Sequence, residues 1–339
     1  MNVLPTRIPA SNHWSERLTR VRELPILGVL LLTLVCTALL EPRFAEMANV
    51  RSILLWTPLL AVVAMGQMLV ILTRGIDVSV GSILGLAGMT VAVLLRDHPE
   101  IGIFGGLGIG IVVGALCGMA NGAIVTGLGV PSIVVTLGTL GVFRGLIFLV
   151  SDGRQVEDYQ LPRALARWSI DGPFGQEIVP WVVVLAVAVT VAMHLFLQWN
   201  RLGRAIYAVG GNPEAAALRG IRARWVTFFA YAVSGASAGL AGVLYISRFG
   251  TINPATIGYG FELLVIAAAV IGGVSIFGGV GSAMGVFLGC LLLATINVAM
   301  TVLDIAGAWQ LAMYGTIILL AIVFENYIGR RLRLAASGE

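Results

Sequence analysis

IGIFGGLGIGIVVGALCGMANGAIV, residues 101–125, runs for 25 positions without a charged side chain. A helix of that length rises about 37 Å, more than the apolar thickness of a bilayer. Its glycines recur at Gly102, Gly106, Gly110, Gly114, Gly118 and Gly122, a strict spacing of four. Each four-residue step advances about 400° around a helix, so these glycines form one slowly winding ridge. Such a ridge lets two helix backbones approach closely in lipid. The segment reads as a membrane helix with a packing seam. Gly281, Gly285 and Gly289 repeat the spacing later in the chain, and Gly235 with Gly239 does so once.

The rest of the chain agrees. Of 339 residues, 58% are hydrophobic and 11% charged, and the apolar residues fall in long runs rather than at amphipathic spacing. Charge clusters and turn residues divide them into ten stretches, at about 25–40, 53–72, 79–95, 101–125, 132–150, 180–198, 225–246, 261–277, 282–303 and 309–327. The expected fold is all-α, a polytopic membrane protein with about ten transmembrane helices. Several stretches approach the lower limit of about 17 residues, so short, tilted or broken spans are expected among them.

An even count puts both termini on one side, and arginine decides which. With the termini cytoplasmic, the inner segments hold thirteen arginines and the outer loops seven, with Arg144 inside a span. The expected organisation is a cytoplasmic segment 1–24, a transmembrane domain 25–327 and a cytoplasmic tail 328–339. The longest connections are an outer loop 151–179 and an inner loop 199–224. Met1 to Arg22 is polar and basic, but a full-length apolar run without a small-residue cleavage site follows it, as in an uncleaved first span.

All 21 basic residues are arginine. A chain without lysine has no phosphate-loop lysine and no lysine Schiff base, so ATP hydrolysis, if it drives this protein, takes place on another chain. Cys36, Cys117 and Cys290 lie singly in apolar runs, and His13, His98 and His194 are scattered, so neither a disulfide framework nor a metal site is expected. Gly235-Ala236-Ser237-Ala238-Gly239 spells GxSxG, but inside an apolar helix rather than at a strand-to-helix elbow, so no catalytic residue is expected.

The inner loop carries its own helix grammar in Asn212-Pro213-Glu214-Ala215-Ala216-Ala217-Leu218-Arg219-Gly220. Asn212 can cap, Pro213 suits the first helical position, Glu214 meets the positive dipole end, and Gly220 can terminate. A two-turn helix outside the membrane is predicted. Its fixed ends and small faces suit it to transmit force from a soluble partner.

Glu214-Ala215-Ala216 with Gly220 resembles the start of the EAA-x3-G motif by which importer permeases dock on their ATPase subunits, without its Leu-Pro continuation. Gly203-Arg204-Ala205-Ile206-Tyr207-Ala208-Val209-Gly210-Gly211-Asn212 is similar to the GR-x-x-YA-x-GGN stretch of the ribose, rhamnose and autoinducer-2 permeases, which belong to the branched-chain amino acid and sugar permease superfamily. Gly75-Ile76-Asp77-Val78-Ser79-Val80-Gly81-Ser82, Val130-Pro131-Ser132 with Thr136-Leu137-Gly138-Thr139-Leu140, Glu262-Leu263, and Gly272 to Ser282 resemble the same family, in its order, from about 60 to 325. Val78 departs from the leucine of many relatives. The resemblance implies a permease subunit of an ATP-binding cassette importer in the bacterial inner membrane, translocating a sugar or sugar-like solute. It also implies a second permease subunit as homodimer or heterodimer, an ATPase subunit holding ATP and magnesium, and an extracytoplasmic solute-binding protein. Asn212, Pro213, Glu214, Ala215, Ala216 and Gly220 would couple to the ATPase. No cofactor is expected in this chain.

A sugar path needs hydrogen-bonding groups and aromatic faces rather than catalytic carboxylates. Polar residues in or near the apolar runs supply Gln67, Asn121, Thr136, Thr139, Arg144, Glu262 and Asn297. Intramembrane ionisable groups turn inward, so a pairing of Arg144 with Glu262 is expected, closing a gate or fixing two helices rather than contacting the solute. Asp77 reads as an interfacial residue, and the outer loop with Trp168 as the dock for a binding protein. An ion-coupled secondary transporter would show similar spans, but a mid-membrane acidic relay is missing.

Overall fold

The structure, a computed structural model, describes residues 23–173, 179–316, 318–320 and 323. Residues 1–22 of the expected cytoplasmic segment, Phe174, Gly175 and Glu177 of the outer loop, most of 321–327 and the tail 328–339 lie outside the described residues.

Among the described residues the α-helices follow in order: α1 (Leu24–Leu40), α2 (Met47–Leu72), α3 (Val80–Asp97), α4 (Gly102–Leu128), α5 (Ser132–Ser151), α6 (Arg163–Ile170), α7 (Trp181–Trp199), α8 (Arg201–Gly211), α9 (Pro213–Leu218), α10 (Ala223–Phe249), α11 (Phe261–Ile271) and α12 (Ala283–Val302). A last apolar helix, α13, covers Gly307–Leu320. No β-strand occurs among the described residues, only an isolated bridge between Val156 and Ile252. Among the described residues seven helices, α2, α3, α4, α5, α7, α10 and α12, are long and apolar enough to cross a membrane, while α1, α11 and α13 are shorter.

The eighth apolar stretch is where the expectation of a full span fails. Helix stops at Ile271, and the expected run to 277 becomes a glycine turn. Gly273, Gly278 and Gly279 adopt φ values of 83°, 85° and 73°, which side-chain-bearing residues rarely tolerate. Apolar composition marked the stretch, but its glycines end the helix after 11 residues.

Helix α2 lies at the centre, buried without interruption from Thr57 to Thr73. It packs against α10, α12, α7 and α11, while α3 packs against α10, α5 and α4. Lipid is as apolar as leucine, so contact at close range rather than escape from water must hold these helices together. The glycine seam supplies that contact. An added Cβ at Gly110, Gly114 or Gly118 would run into the backbone of α10 around Gly239, Gly235 and Tyr231, and one at Gly122 would meet Tyr231 Cβ at 3.0 Å. The two GxxxG patterns therefore face each other in antiparallel register. Gly106 packs instead against Val91 and Leu95 of α3. Gly102 is not part of the seam: it opens α4 with φ 66° and has no atom within 4 Å of its Cβ position. Its spacing matched, but no atom of α10 comes within 4 Å of its Cβ position. Gly285 and Gly289 press on the backbones of Gly272 and Ala268, joining α12 to α11.

Candidate functional site

Two regions carry the polar chemistry: a corner outside the long helices and a pair of chain breaks between them.

The corner begins at Asn200, whose side chain accepts from the Leu202 N–H at 2.9 Å and starts α8. Helix α8 was not anticipated in the inner loop. It buries Ile206 and Val209 and ends at Gly211. Asn212 is extended, and its Oδ1 accepts from the Ala215 N–H at 3.0 Å, satisfying one of the orphan donors of α9. Pro213 takes the first helical position and Glu214 the first turn. Gly220, at φ 79°, closes the far end while the Ile221 N–H reaches back to the Ala216 carbonyl at 3.0 Å. Ala216 faces the protein, whereas Glu214, Ala215 and Leu218 face outward, Leu218 with 91% of its surface exposed. The short helix thus presents a carboxylate and an apolar side chain on a frame fixed at both ends.

The first break separates α2 from α3 at residues 73–79. Breaking a helix inside a bundle frees backbone groups that no water reaches, and side chains must take them up. Ser132 Oγ accepts from the Ile76 N–H at 3.2 Å, and Thr136 Oγ1 accepts from the Val78 N–H at 3.1 Å. Asp77, expected at an interface, is instead fully buried. Its Oδ1 accepts from the Ser79 N–H at 2.9 Å and the Ser79 hydroxyl at 2.6 Å, and Asn121 Nδ2 donates to Ser79 Oγ at 2.8 Å. Asp77 Oδ2, Asn121 Oδ1 and the Tyr231 hydroxyl have no hydrogen-bond partner.

The second break precedes α11. Residues 250–260 turn inward until Gly258 lies against Gly81, at the start of α3, and the Ile257 carbonyl lies 3.0 Å from the Cβ position of Gly85. Arg144 of α5 donates to that carbonyl at 2.5 Å and stands 5.7 Å from the centre of the Tyr259 ring. Glu262, in the first turn of α11, packs on Gly81 with its Oε2 unsatisfied. Arg144 and Glu262 therefore flank the same loop without forming the expected ion pair. The loop carbonyl has taken the guanidinium.

Of the other path residues, Gln67 is fully buried in α2, with neither end of its amide bonded. Asn121 and Thr136 are equally sealed. Asn297 Nδ2 donates to Gln310 Oε1 at 3.1 Å, which ties α12 to α13 and stands apart from both breaks. Thr139 and Arg144 are half-buried on α5, beside an open face where Gly138, Gly141 and Gly145 have nothing within 4 Å. Tyr259, 76% exposed, extends that face. Asp77, Ser79, Ser132, Tyr231 and Tyr259 were not singled out from the sequence as site residues; the Gly75 to Ser82 stretch was the signal for the first two. Ser237 lies within the unbroken helix α10, near Gly66 of α2, with no elbow to expose it. In the 151–179 loop, α6 folds back on the bundle: Trp168 meets Phe104 edge to face at 6.0 Å, and Ser169 Oγ lies 2.9 Å from Ser247 Oγ.

Residues 49–322 match the family described as branched-chain amino acid transport system / permease component. The chain is 34% identical over 316 residues to the autoinducer 2 import system permease protein LsrC of Photorhabdus laumondii, covering 93% of this chain and 91% of that one. It is 38% identical over 279 residues to the protein of the same name from Yersinia enterocolitica, with 82% and 74% covered. With the one from Yersinia pseudotuberculosis serotype O:3 it shares 37% over 279 residues, with 82% and 76% covered. No solved structure matches.

Proposed function

The chain belongs to the branched-chain amino acid transport system permease family, and on that premise we propose that it carries a solute of the ribose, rhamnose and autoinducer-2 class across the bacterial inner membrane. It is an integral membrane protein and a transport subunit of an ATP-binding cassette importer rather than an enzyme, a family that works with ATPase and solute-binding partners. Autoinducer-2 itself is the favoured solute, because the relatives quoted are named for its import.

The observation that carries this reading is helix α9. Six residues are capped by Asn212 and closed by Gly220, and they turn Glu214 and Leu218 outward. In our reading this is where the ATPase subunit, which holds ATP and magnesium, presses on the chain through Asn212, Pro213, Glu214, Ala215 and Gly220, while the buried Ala216 seats the helix on the protein. The short helices α1 and α13, and α11 together with the inward loop before it and the glycine turn after it, complete ten crossings in this reading, with both termini cytoplasmic. Contacts between loops agree with that grouping of loops by side: Val156 and Ile252 pair with each other, and Arg74 and Gly210 are hydrogen-bonded; the arginine count gives the direction. Helix α5 gives the path. Its open glycine face, with Thr139, Arg144 and the exposed Tyr259, offers hydrogen bonds and an aromatic surface to a polar solute and faces a second permease subunit. The outer loop around Trp168 receives the binding protein. The ion-coupled alternative gives way to the family assignment.

The test is uptake of labelled ribose, rhamnose, xylose and autoinducer-2 by cells with and without this chain. Loss of one solute on deletion, restored by the gene, supports the reading. Unchanged uptake of the whole panel would refute the assigned solute class.

A further inference from the structure

The end of α2 and the start of α9 meet at one residue. Arg74 has φ 67°, a left-handed conformation that a side-chain-bearing residue keeps only where its surroundings hold it. Its Nε donates to the Gly210 carbonyl at 2.6 Å and its Nη2 to the Gly211 carbonyl at 2.7 Å. These are the last two residues of α8, and the next, Asn212, caps α9. Carbonyls at a helix C-terminus are orphaned and carry the negative end of its dipole, and a guanidinium fork spans two of them at once.

Main chain clasps the same corner. The Gly279 N–H donates to the Leu72 carbonyl at 3.0 Å, and a Cβ on Gly210 would collide with that carbonyl. The Tyr207 hydroxyl donates to the Gly281 carbonyl at 2.8 Å. The corner of α8, the end of α2 and the glycine turn before α12 are therefore packed together even without the Arg74 side chain. Beyond Arg74 the chain runs directly to Ile76 and Val78, whose N–H groups are held by Ser132 and Thr136 of α5.

We propose that Arg74 is the positioning residue through which movement of α9 reaches α5. It binds the α8 corner to the 73–79 break, and Ser132 and Thr136 pass the displacement to the helix whose open face lines the path. The inference rests on the reading of α9 as the ATPase contact. Because glycine contacts already hold the corner, loss of the guanidinium leaves the fold assembled and weakens the transmission.

The complex of this chain with its ATPase and binding protein is reconstituted in vesicles, and ATP hydrolysis and uptake of labelled autoinducer-2 or ribose are measured together. Absence of ATP-driven uptake by the unaltered chain overturns the reading of α9, and this inference with it. With Arg74→Gln, hydrolysis is expected to stay within about twofold while solute moved per ATP falls about tenfold, the scale of a broken coupling between two sites. Arg74→Lys, which keeps the charge but not the fork, is expected to lower that ratio by about threefold. An unchanged ratio, or uptake and hydrolysis falling in proportion, would make Arg74 a plain structural contact. Should Arg74→Gln fail to assemble, the ratio in Arg74→Lys decides alone, and no change from the unaltered chain overturns the inference.

Discussion

Gly114→Ala probes the seam that holds the bundle together. The new methyl carbon would overlap the Gly235 carbonyl oxygen and lie 2.7 Å from Gly239 Cα, both backbone atoms that no rotamer change can move. Ordinary contact begins near 3.4 Å, so α4 and α10 must separate by at least about 0.7 Å along that line. Separation opens gaps along Gly110 and Gly118 as well, and overpacking of this kind costs about 1–3 kcal/mol. Alanine's better helix propensity offsets up to about 1 kcal/mol of that. Gly108→Ala isolates the propensity term, because nothing lies within 4 Å of its Cβ position on the same helix. Thermal unfolding of the detergent-solubilised protein should place Gly114→Ala below the unaltered chain and Gly108→Ala level with it or above. Gly235→Ala meets the Gly114 carbonyl from the other side, so the two seam changes together should cost less than their sum. If Gly114→Ala and Gly108→Ala melt together, the close approach is not what holds α4 to α10.

Thr136→Val orphans the Val78 N–H and should destabilise by about 1–3 kcal/mol, whereas Thr136→Ser should melt near the unaltered protein. Exchanging charges, Arg144→Glu with Glu262→Arg, should restore nothing that either change alone removes, since Arg144 is bonded to the Ile257 carbonyl; recovery of uptake in the double variant would show that the two side chains do pair. Glu214→Arg should abolish uptake while surface labelling finds the protein in the membrane, and retained uptake would exclude α9 as the contact for the ATPase. Asn212→Ala removes the cap of α9 at a cost of about 1 kcal/mol to that helix, and should lower uptake with little change in the melting of the whole protein.

What the residues disclosed depended on how local the cause was. The α4 seam was legible because a spacing of four has a geometric meaning on any helix, and α9 because its caps and its proline act within a few residues of one another. Helix α8 was missed because Arg201 and Arg204 broke the apolar pattern that marks a span, although Ile206 and Val209 carry its buried face. Asp77 looked interfacial because the apolar run ends at Arg74. Its burial comes from the chain turning back against α4 and α10, where Asn121 and Tyr231 wait on other helices. Opposite charges suggested a pair for Arg144 and Glu262. The inward turn of residues 250–260 that brings the Ile257 carbonyl to Arg144 is a tertiary event with no periodic signature.

In the proposed reading this chain moves its solute only when a separate ATPase acts on it. Vesicles holding the chain alone, or with its ATPase and binding protein, are given labelled autoinducer-2, with ATP or with a proton gradient. Uptake should appear only in the complete assembly and only with ATP; accumulation by the chain alone under the proton gradient would instead make it an ion-coupled transporter.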